Sequence, residues 1–402
     1  MSDLIQRPQY LNTLLEFKDK DIVKIVTGIR RAGKSTLFRL FQEKLMAGGI
    51  PPEQIININL EDAANSEFLD WRKLHDHILN CLIAGKQNYI FLDEIQNVDN
   101  FENAINSLNL KSNVDLYLTG SNSRLSSGEI GTSLGGRFVE IKMQPLSFLE
   151  YVSAYPSERT PDDKFGDYLH NSSFPFTMQF TNRSEQIRIF LDGLYTSIVQ
   201  RDIMKRNEVS VKDLPKLESV IKFVFDNIGK EMSILNIRNT IKSDGRVIQT
   251  TDIDAYISAL IKSFALYKTN RYDVKGKQLL QTNAKYYVAD IGLRYFLLGK
   301  EGDDGRILEN IVYLELIRRG YNVFVGKVND REVDFVAILN GETEYYQVSQ
   351  SVLDENTLTR ELAPLDAIHD HNQKFLLTRD YNNVSYNGIK HKNVLKWLLG
   401  QK

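Results

Sequence analysis

Apolar runs alternate with amphipathic stretches over the first third of the chain. The runs are short and continuous, which predicts strands, and the stretches repeat apolar residues at helical spacing, which predicts helices. The predicted strands cover residues 22–27, 54–60, 89–92, 116–119 and 138–143. The predicted helices cover residues 8–17, 34–46, 69–83 and 101–108. This alternation predicts an α/β domain with a largely parallel sheet.

The pattern changes between about residues 212 and 290, where two short amphipathic stretches precede two strand-like runs. Ser233 is expected to cap a helix over 234–242, and Thr251 to cap a second helix over 252–263. The runs at 267–273 and 278–287 flank a polar turn and predict a hairpin. The order of these elements predicts a helix-turn-helix followed by a β-wing, which is a winged helix.

A winged helix can bind DNA through its second helix or its wing, and it can also serve as a protein–protein module. Asp252 and Asp254 open the second helix of this segment and would repel phosphates at a groove. The basic residues that could contact DNA are Arg238, Lys242, Arg246, Arg271, Lys275 and Lys277. Both uses stay open from the sequence.

Length and charge limit the class of protein. The 402 residues predict two or three domains of roughly 100 to 200 residues each. The net charge of −2 gives no global attraction to nucleic acid or to an anionic membrane, so any DNA contact needs a local patch. No run approaches the roughly 18 apolar residues of a membrane span, and the first residues do not resemble a signal peptide. We therefore expect a cytoplasmic protein without membrane contact. Its single cysteine, Cys81, is expected to be buried and inert.

Candidate chemistry begins at residues 28 to 35, which read Gly-Ile-Arg-Arg-Ala-Gly-Lys-Ser between a predicted strand and a predicted helix. This is the complete G-x-x-x-x-G-K-[ST] spacing of a phosphate-binding loop. The glycines let backbone N–H groups point at phosphates, Lys34 supplies positive charge to the β and γ oxygens, and Ser35 offers a hydroxyl to Mg²⁺. The residues expected to bind ATP are Gly28, Arg31, Ala32, Gly33, Lys34, Ser35 and Thr36.

A pair of carboxylates follows the third predicted strand. Asp93 and Glu94 end an apolar run, as is needed to bring acids to the edge of a sheet. Asp93 is expected to hold a hydrated Mg²⁺ together with Ser35, and Glu94 is expected to polarise the attacking water. Glu94 is therefore a predicted catalytic residue.

Small polar residues lie at the end of the fourth predicted strand. Thr119, Ser121 and Asn122 lie where ligands of a parallel sheet bind, and they could contact the γ-phosphate or the water, with Asn122 counted as catalytic. A plain turn is the alternative for these three.

Arg137 follows two glycines and could reach phosphate charge in a neighbouring subunit, which would make it catalytic. An ion pair with an acid such as Glu140 is the alternative for Arg137.

These motifs, in this order, resemble the predicted AAA+ ATPases of bacteria and archaea. The resemblance rests on the Walker A loop at 28–36, the Walker B run Phe-Leu-Asp-Glu-Ile-Gln at 91–96, Thr-Gly-Ser-Asn at 119–122, and Gly136-Arg137 followed by Pro-Leu-Ser-Phe at 145–148. It covers nearly the whole chain. It implies an ATPase that uses ATP and Mg²⁺, with sites that commonly lie between subunits of a homo-oligomer. The family carries a C-terminal domain of unknown function, and its client is open.

The chain is predicted to divide into a P-loop ATPase core, a helical lid, the winged helix and an α/β segment that resembles the restriction-endonuclease-like fold. These parts are expected over residues 1–145, 146–208, 209–295 and 296–402. Active members of the last fold use a helix acid, a strand Asp, and a Glu or Gln two residues before a Lys. This chain offers Glu309, Asp334 and Gln347, but Ser349 stands in the lysine place, so we expect no cation there.

Two classes of function follow. The favoured one is an AAA+ ATPase that acts as a switch or motor on an unidentified client, for which DNA is one candidate. The alternative is an ATP-gated, metal-dependent nuclease of a defence or mobile-element system. Ser349 argues against the nuclease, because a weakened ligand set binds Mg²⁺ poorly. A nucleotide-binding scaffold with negligible turnover is a third class, and Glu94 argues against it.

Overall fold

The computed structural model describes residues 4–121, 125, 134–155, 158–180, 183–205, 213–243, 247–299, 303–381 and 384–401. Asn122 and Arg246 lie outside the described residues. The chain forms two compact units. The first comprises Met1–Pro145, Phe174–Gln179 and Lys262–Phe264, and the second comprises Leu146–Ser173, Phe180–Ile261 and Ala265–Lys402.

The first unit contains a sheet of five parallel strands in the order β2-β3-β4-β1-β5. The strands are β1 (Val23–Thr27), β2 (Ile55–Asn59), β3 (Asn88–Asp93), β4 (Val114–Gly120) and β5 (Phe138–Lys142). The helices are α1 (Pro8–Glu16), α2 (Lys34–Ala47), α3 (Trp71–Cys81) and α4 (Phe101–Asn109). The α/β class and the parallel sheet that the apolar pattern predicts are confirmed.

Burial on both faces explains why the apolar runs of the first unit form strands. Every residue of β1 and β3 is buried, as central strands of a parallel sheet require. One apolar layer includes Ile25 and Leu118, and the opposite layer includes Phe91 and Tyr117, whose stacked rings have centroids 4.7 Å apart. The sheet is therefore covered by an apolar layer on each of its two faces.

The second unit contains a mixed sheet of eight strands in the order β13-β12-β11-β10-β9-β7-β8-β6. The strands are β6 (Glu231–Met232), β7 (Leu266–Asp273), β8 (Gln278–Val288), β9 (Asn322–Val328), β10 (Arg331–Leu339), β11 (Glu342–Val348), β12 (Gln373–Thr378) and β13 (Ile389–Asn393). The remaining helices are α5 (Phe148–Ala154), α6 (Pro161–His170), α7 (Arg183–Ser197), α8 (Leu214–Asp226), α9 (Ile234–Ser243), α10 (Thr250–Lys262), α11 (Ile291–Leu298), α12 (Asp304–Arg318), α13 (Glu355–Asp366) and α14 (Val394–Leu398). None of the helices in the described part of the chain is long and apolar enough to cross a bilayer.

The two helices and the hairpin predicted in the middle segment are α9, α10, β7 and β8. The Ser233 hydroxyl caps α9 by accepting a hydrogen bond from the Asn236 N–H. The cap predicted at Thr251 is wrong, because α10 begins at Thr250 and Thr251 lies inside it. The hairpin is not a free ribbon, because β7 pairs in parallel with β9 over Arg271 to Asp273.

Cys81 is exposed, so the prediction that its thiol is buried is wrong. Leu74 and Ile78 of helix α3 are buried, whereas Cys81 is the last residue of the helix and is exposed. The thiol Sγ lies 3.8 Å from Nε2 of His77. An apolar sequence context therefore did not bury this small side chain.

Candidate active site

The loop between β1 and α2 passes very close to Met143, the residue that follows β5. Gly28 and Gly33 have positive φ angles of 144° and 101°, which glycine adopts more readily than any other residue. A Cβ built on Gly28 would lie only 2.0 Å from the carbonyl oxygen of Met143. Glycine is therefore required at position 28 both by the backbone angle and by the close approach. Arg31 also has a positive φ, of 66°, and its side chain is exposed.

The ammonium group of Lys34 is buried within this loop. Its Nζ donates hydrogen bonds to the carbonyl oxygens of Gly28 and Ile29, at 3.0 and 3.4 Å. It also lies 3.8 Å from Oε1 of Glu94. The loop and the carboxylate thus hold one positive charge at the first turn of α2, where backbone N–H groups favour an anion.

Asp93 is buried at the end of β3, with two hydroxyl groups beside it. The Thr119 hydroxyl donates to Oδ1 of Asp93, and the Ser35 hydroxyl lies close enough to favour the charged form of this carboxylate. Burial raises the pKa of Asp93, and the hydroxyls of Ser35 and Thr119 act in the opposite direction. The structure therefore brings together Ser35 and Asp93, the two residues predicted to bind Mg²⁺. Their binding of the metal remains a prediction.

Glu94 is positioned by three neighbouring polar groups. Its backbone is left-handed, with a φ of 55°, and its N–H donates to the Thr119 hydroxyl at 2.9 Å. Its Oε2 accepts hydrogen bonds from the Ser121 hydroxyl, at 3.0 Å, and from Nε2 of Gln96. Thr119 and Ser121 are fully buried and bind the two carboxylates, so their hydroxyls position the acids. The sequence did not indicate the role of Gln96.

Arg137 is exposed on the turn before β5. It follows Gly135 and Gly136, which have φ angles of 58° and 77°. Within the described residues, its predicted alternative partner Glu140 instead accepts a hydrogen bond from the Thr27 hydroxyl at 2.7 Å and lies 3.8 Å from Nζ of Lys142. The ion pair between Arg137 and Glu140 is therefore not formed in that part of the chain.

Arg7 supports the phosphate-binding loop and was not found by sequence reasoning. Its buried guanidinium donates to the carbonyl oxygen of Ala32 at 3.1 Å and to that of Gln144 at 2.8 Å. These bonds tie the loop to the segment after β5. Both acceptors are main-chain groups far along the chain, so no side-chain motif marks Arg7 in advance.

A second polar centre lies in the second unit, where a lysine meets the predicted helix acid. Nζ of Lys285, on β8, lies 2.9 Å from Oε1 of Glu309 on α12 and 2.6 Å from Oε1 of Glu332 on β10. The Tyr287 hydroxyl donates to the same Oε1 of Glu309 at 2.7 Å. The sequence analysis considered only the lysine place at Ser349, and it did not find this cation, which β8 supplies from outside the predicted domain.

Asp334 on β10 and Gln347 on β11 are joined by hydrogen bonds between these two neighbouring strands. Oδ2 of Asp334 accepts from the Val348 N–H at 2.8 Å, and the Asp334 N–H donates to Oε1 of Gln347 at 3.3 Å. Ser349 is turned away, with its exposed hydroxyl donating to the carbonyl oxygen of Ser351. Asp334 and Gln347 are thus adjacent, and Ser349 takes no part in their contacts.

Burial and neighbouring charges shift the pKa values of Asp334 and Lys285. Burial raises the pKa of Asp334 well above its usual value, and the Glu309 carboxylate raises it further. Burial alone would lower the pKa of Lys285, but Glu309, Asp334 and Glu332 together raise it. Among the residues that the structure describes, no group of three or more His, Cys, Asp or Glu side chains is arranged to hold a metal ion.

Comparison with known proteins relates this chain to ATPases. Residues 20–152 match the family model of an AAA domain, and residues 162–304 match that of a domain of unknown function. An uncharacterized protein of Haemophilus influenzae is 37% identical over 402 residues, which cover 98% of this chain and 99% of the relative. An uncharacterized protein of Methanocaldococcus jannaschii is 29% identical over 384 residues, covering 90% of this chain and 82% of the relative.

A solved structure shares the fold. The Walker-type ATPase of Pyrococcus abyssi aligns with a TM-score of 0.52 at 16% identity, covering 73% of this chain and 96% of the other. At this identity the likeness concerns the fold alone. It agrees with the parallel sheet and the phosphate-binding loop described above.

Gly28→Ala is expected to destabilise the first unit more than Gly49→Ala. Both glycines have positive φ, which imposes a strain of about 1–2 kcal/mol on alanine. Nothing lies within 4 Å of a Cβ at Gly49, whereas the Cβ at Gly28 overlaps a carbonyl oxygen, which adds about 1–3 kcal/mol. Thermal unfolding followed by circular dichroism measures the difference. Equal losses in the two variants would show that the close approach is unimportant.

Proposed function

Because this chain belongs to the same family as the Haemophilus influenzae protein and contains an AAA domain in an α/β ATPase fold, we propose that it binds ATP and hydrolyses it to ADP and phosphate. The observation that carries the proposal is the convergence of Lys34, Asp93 and Glu94 at the carboxyl edge of one parallel sheet. Ligands of such sheets bind beyond the carboxyl ends of the strands. The energy of hydrolysis would drive a switch or motor that acts on a client.

The phosphates are bound by the loop and by Lys34. On binding, the Lys34 ammonium exchanges the carbonyl oxygens of Gly28 and Ile29 for phosphate oxygens, which are stronger acceptors because they are charged. The N–H groups from Arg31 to Thr36 are those predicted to point at the phosphates. Arg7 keeps this loop in place through the Ala32 carbonyl.

Mg²⁺ fits the oxygen donors that Ser35 and Asp93 provide. A hydroxyl and a buried carboxylate already lie in contact here, and hard oxygen donors of this kind are the ligands that Mg²⁺ prefers. When bound, the metal neutralises phosphate charge. Thr119 keeps one oxygen of Asp93 oriented toward the strand edge.

Glu94 is the proposed base that orients the attacking water. Ser121 and Gln96 hold its Oε2, and its Oε1 is turned toward Lys34, which is the side where a γ-phosphate would lie. A carboxylate so placed accepts a proton from water as the bond to phosphorus forms. Asn122 remains a predicted second contact to that water.

Lys34→Ala and Glu94→Gln are expected to separate binding from turnover. Lys34→Ala removes the charge on the phosphates and should lose ATP binding, whereas Glu94→Gln should bind ATP and hydrolyse it about 10²–10⁴-fold more slowly. Calorimetry with ATP and a phosphate-release assay measure the two properties. Lys44→Ala, an exposed lysine on the same helix, is the matched control. Equal ATP affinity in Lys34→Ala and wild type would contradict the assignment. Glu94→Gln loaded with ATP is also suited to capture of the client.

Arg137 is proposed to complete the site of a neighbouring copy of the chain. It is exposed on a turn with two glycines, and its predicted intramolecular partner Glu140 is engaged by Thr27 and Lys142. An arginine brought to the γ-phosphate stabilises charge in the transition state, with an effect of roughly a thousandfold or more on rate. The chain would then hydrolyse ATP as a homo-oligomer.

Arg137→Ala is expected to bind ATP but turn it over slowly, and wild-type specific activity should fall on dilution. Mixing Arg137→Ala with Lys34→Ala should restore part of the activity, because each variant supplies what the other lacks at shared sites. Lys142→Ala, an exposed cation of the next strand, should remain active. An inactive mixture together with activity that is flat across dilution would remove Arg137 from the site.

We propose that residues 146–208 form a helical lid, 209–295 a winged helix and 296–402 a restriction-endonuclease-like domain. The elements α9, α10 and the β7–β8 hairpin support the second of these. In the hairpin, Arg271 pairs with Glu231 at 2.9 Å, whereas Lys275 and Lys277 are exposed at the turn. If DNA is the client, we place its contact with this segment at those two lysines. We also propose a cytoplasmic location.

The last domain is proposed to recognise a partner without cutting nucleic acid. The protein should leave supercoiled plasmid intact with Mg²⁺ or Mn²⁺, because Ser349 offers no cation and Glu309 is engaged by Lys285. Asp334→Ala should hydrolyse ATP at a rate near wild type, since Asp334 belongs to the other unit. Plasmid nicking abolished by Asp334→Ala would establish the nuclease alternative instead.

A further inference from the structure

Three carboxylates and one amine form the polar centre of the second unit. They come from three separate elements, since Lys285 lies on β8, Glu309 on α12, and Glu332 and Asp334 on β10. The side chains of Lys285 and Glu309 are only 4% and 10% exposed, and Glu332 is 34% exposed. The cluster is therefore largely shielded from water, with Glu332 nearest to it.

Such a cluster needs a positive charge in its midst. Like charges within a few ångströms repel strongly when water cannot screen them, and buried carboxylates persist only when they are paired or protonated. A divalent cation or an ammonium group can supply this charge. The oxygens of Glu309 and Glu332 converge to within 2.9 and 2.6 Å of a single point, and that point is Nζ of Lys285.

The remaining hydrogen bonds complete the neutralisation without a metal. The Tyr287 hydroxyl donates to Oε1 of Glu309, and the Val348 N–H donates to Oδ2 of Asp334. One ammonium group then balances much of the charge of Glu309 and Glu332.

We propose that the Lys285 ammonium occupies the position that a divalent cation would take between Glu309 and Glu332. The lysine is a built-in counter-ion, and the centre binds no metal while the lysine is present. Loss of the ammonium leaves the carboxylates without a counter-charge, and they then bind Mn²⁺ or Mg²⁺. This inference concerns the second unit alone and does not depend on the proposed ATPase function.

Manganese binding by the full chain tests the proposal. All proteins carry Asp93→Asn, which removes the metal ligand proposed for the nucleotide site. Electron paramagnetic resonance then distinguishes free from bound Mn²⁺ in the parent, in Lys285→Met, and in Lys285→Met with Glu309→Gln. Methionine keeps the length of the side chain and removes its charge. Lys285→Met is expected to gain one Mn²⁺ site at least tenfold tighter than any site in the parent, and Glu309→Gln should abolish it.

A matched control keeps the result specific. Lys268→Met removes an exposed lysine from the neighbouring strand β7 and should create no site. No gain of Mn²⁺ binding in a folded Lys285→Met would overturn the proposal. If that variant does not fold, the parent is compared with Glu309→Gln alone. Identical Mn²⁺ titrations support the proposal, and Mn²⁺ bound by the parent but lost in Glu309→Gln overturns it.

Discussion

Parallel pairing of β1 between β4 and β5 is the constraint on which the nucleotide site depends. Thr27 lies opposite Gly120 on one side and Lys142 on the other, so the phosphate-binding loop starts level with the ends of both neighbours. Strand β3 pairs with β4 in turn and ends at Asp93. Charges that would repel or stay hydrated in a free chain are therefore presented together, because strand ends and not side-chain attraction determine where they lie.

The second unit reaches convergence by a different means. Its carboxylates meet a lysine from a strand that is distant in sequence, and charge neutralisation joins helix α12 to the sheet around it. In the first unit, hydroxyl groups orient Asp93 and Glu94, and Nζ of Lys34 lies 3.8 Å from Oε1 of Glu94. The two centres therefore differ in how closely the ammonium group approaches: Nζ of Lys285 lies within 2.9 Å of two carboxylates, whereas Nζ of Lys34 lies 3.8 Å from one.

Much of the first unit could be predicted because its signals are local. Apolar runs gave the five strands, and the contiguous loop from Gly28 to Ser35 identified the phosphate-binding turn. Lys285 could not be found in this way, because its role depends on an ion pair with Glu309, which lies on a different element of the fold. Arg7 was missed because it binds main-chain carbonyls, which every residue has. The cap expected at Thr251 is not formed because the helix begins earlier. The Ile253 N–H donates to the carbonyl oxygen of Gln249, so the helical hydrogen bonds start before Thr251.

The pairing of β7 with β9 has a mechanical consequence for the hairpin that bears Lys275 and Lys277. A two-stranded hairpin without further pairing would bend easily. This hairpin is instead part of an eight-stranded sheet, because β7 also pairs with β9. A load applied at its turn along the strand direction would act on rows of hydrogen bonds side by side, so that several must break together before a strand slides. The hairpin is therefore expected to resist bending, and a force applied at its turn acts on the hydrogen bonds that join β7 to β9 as well as on those within the hairpin.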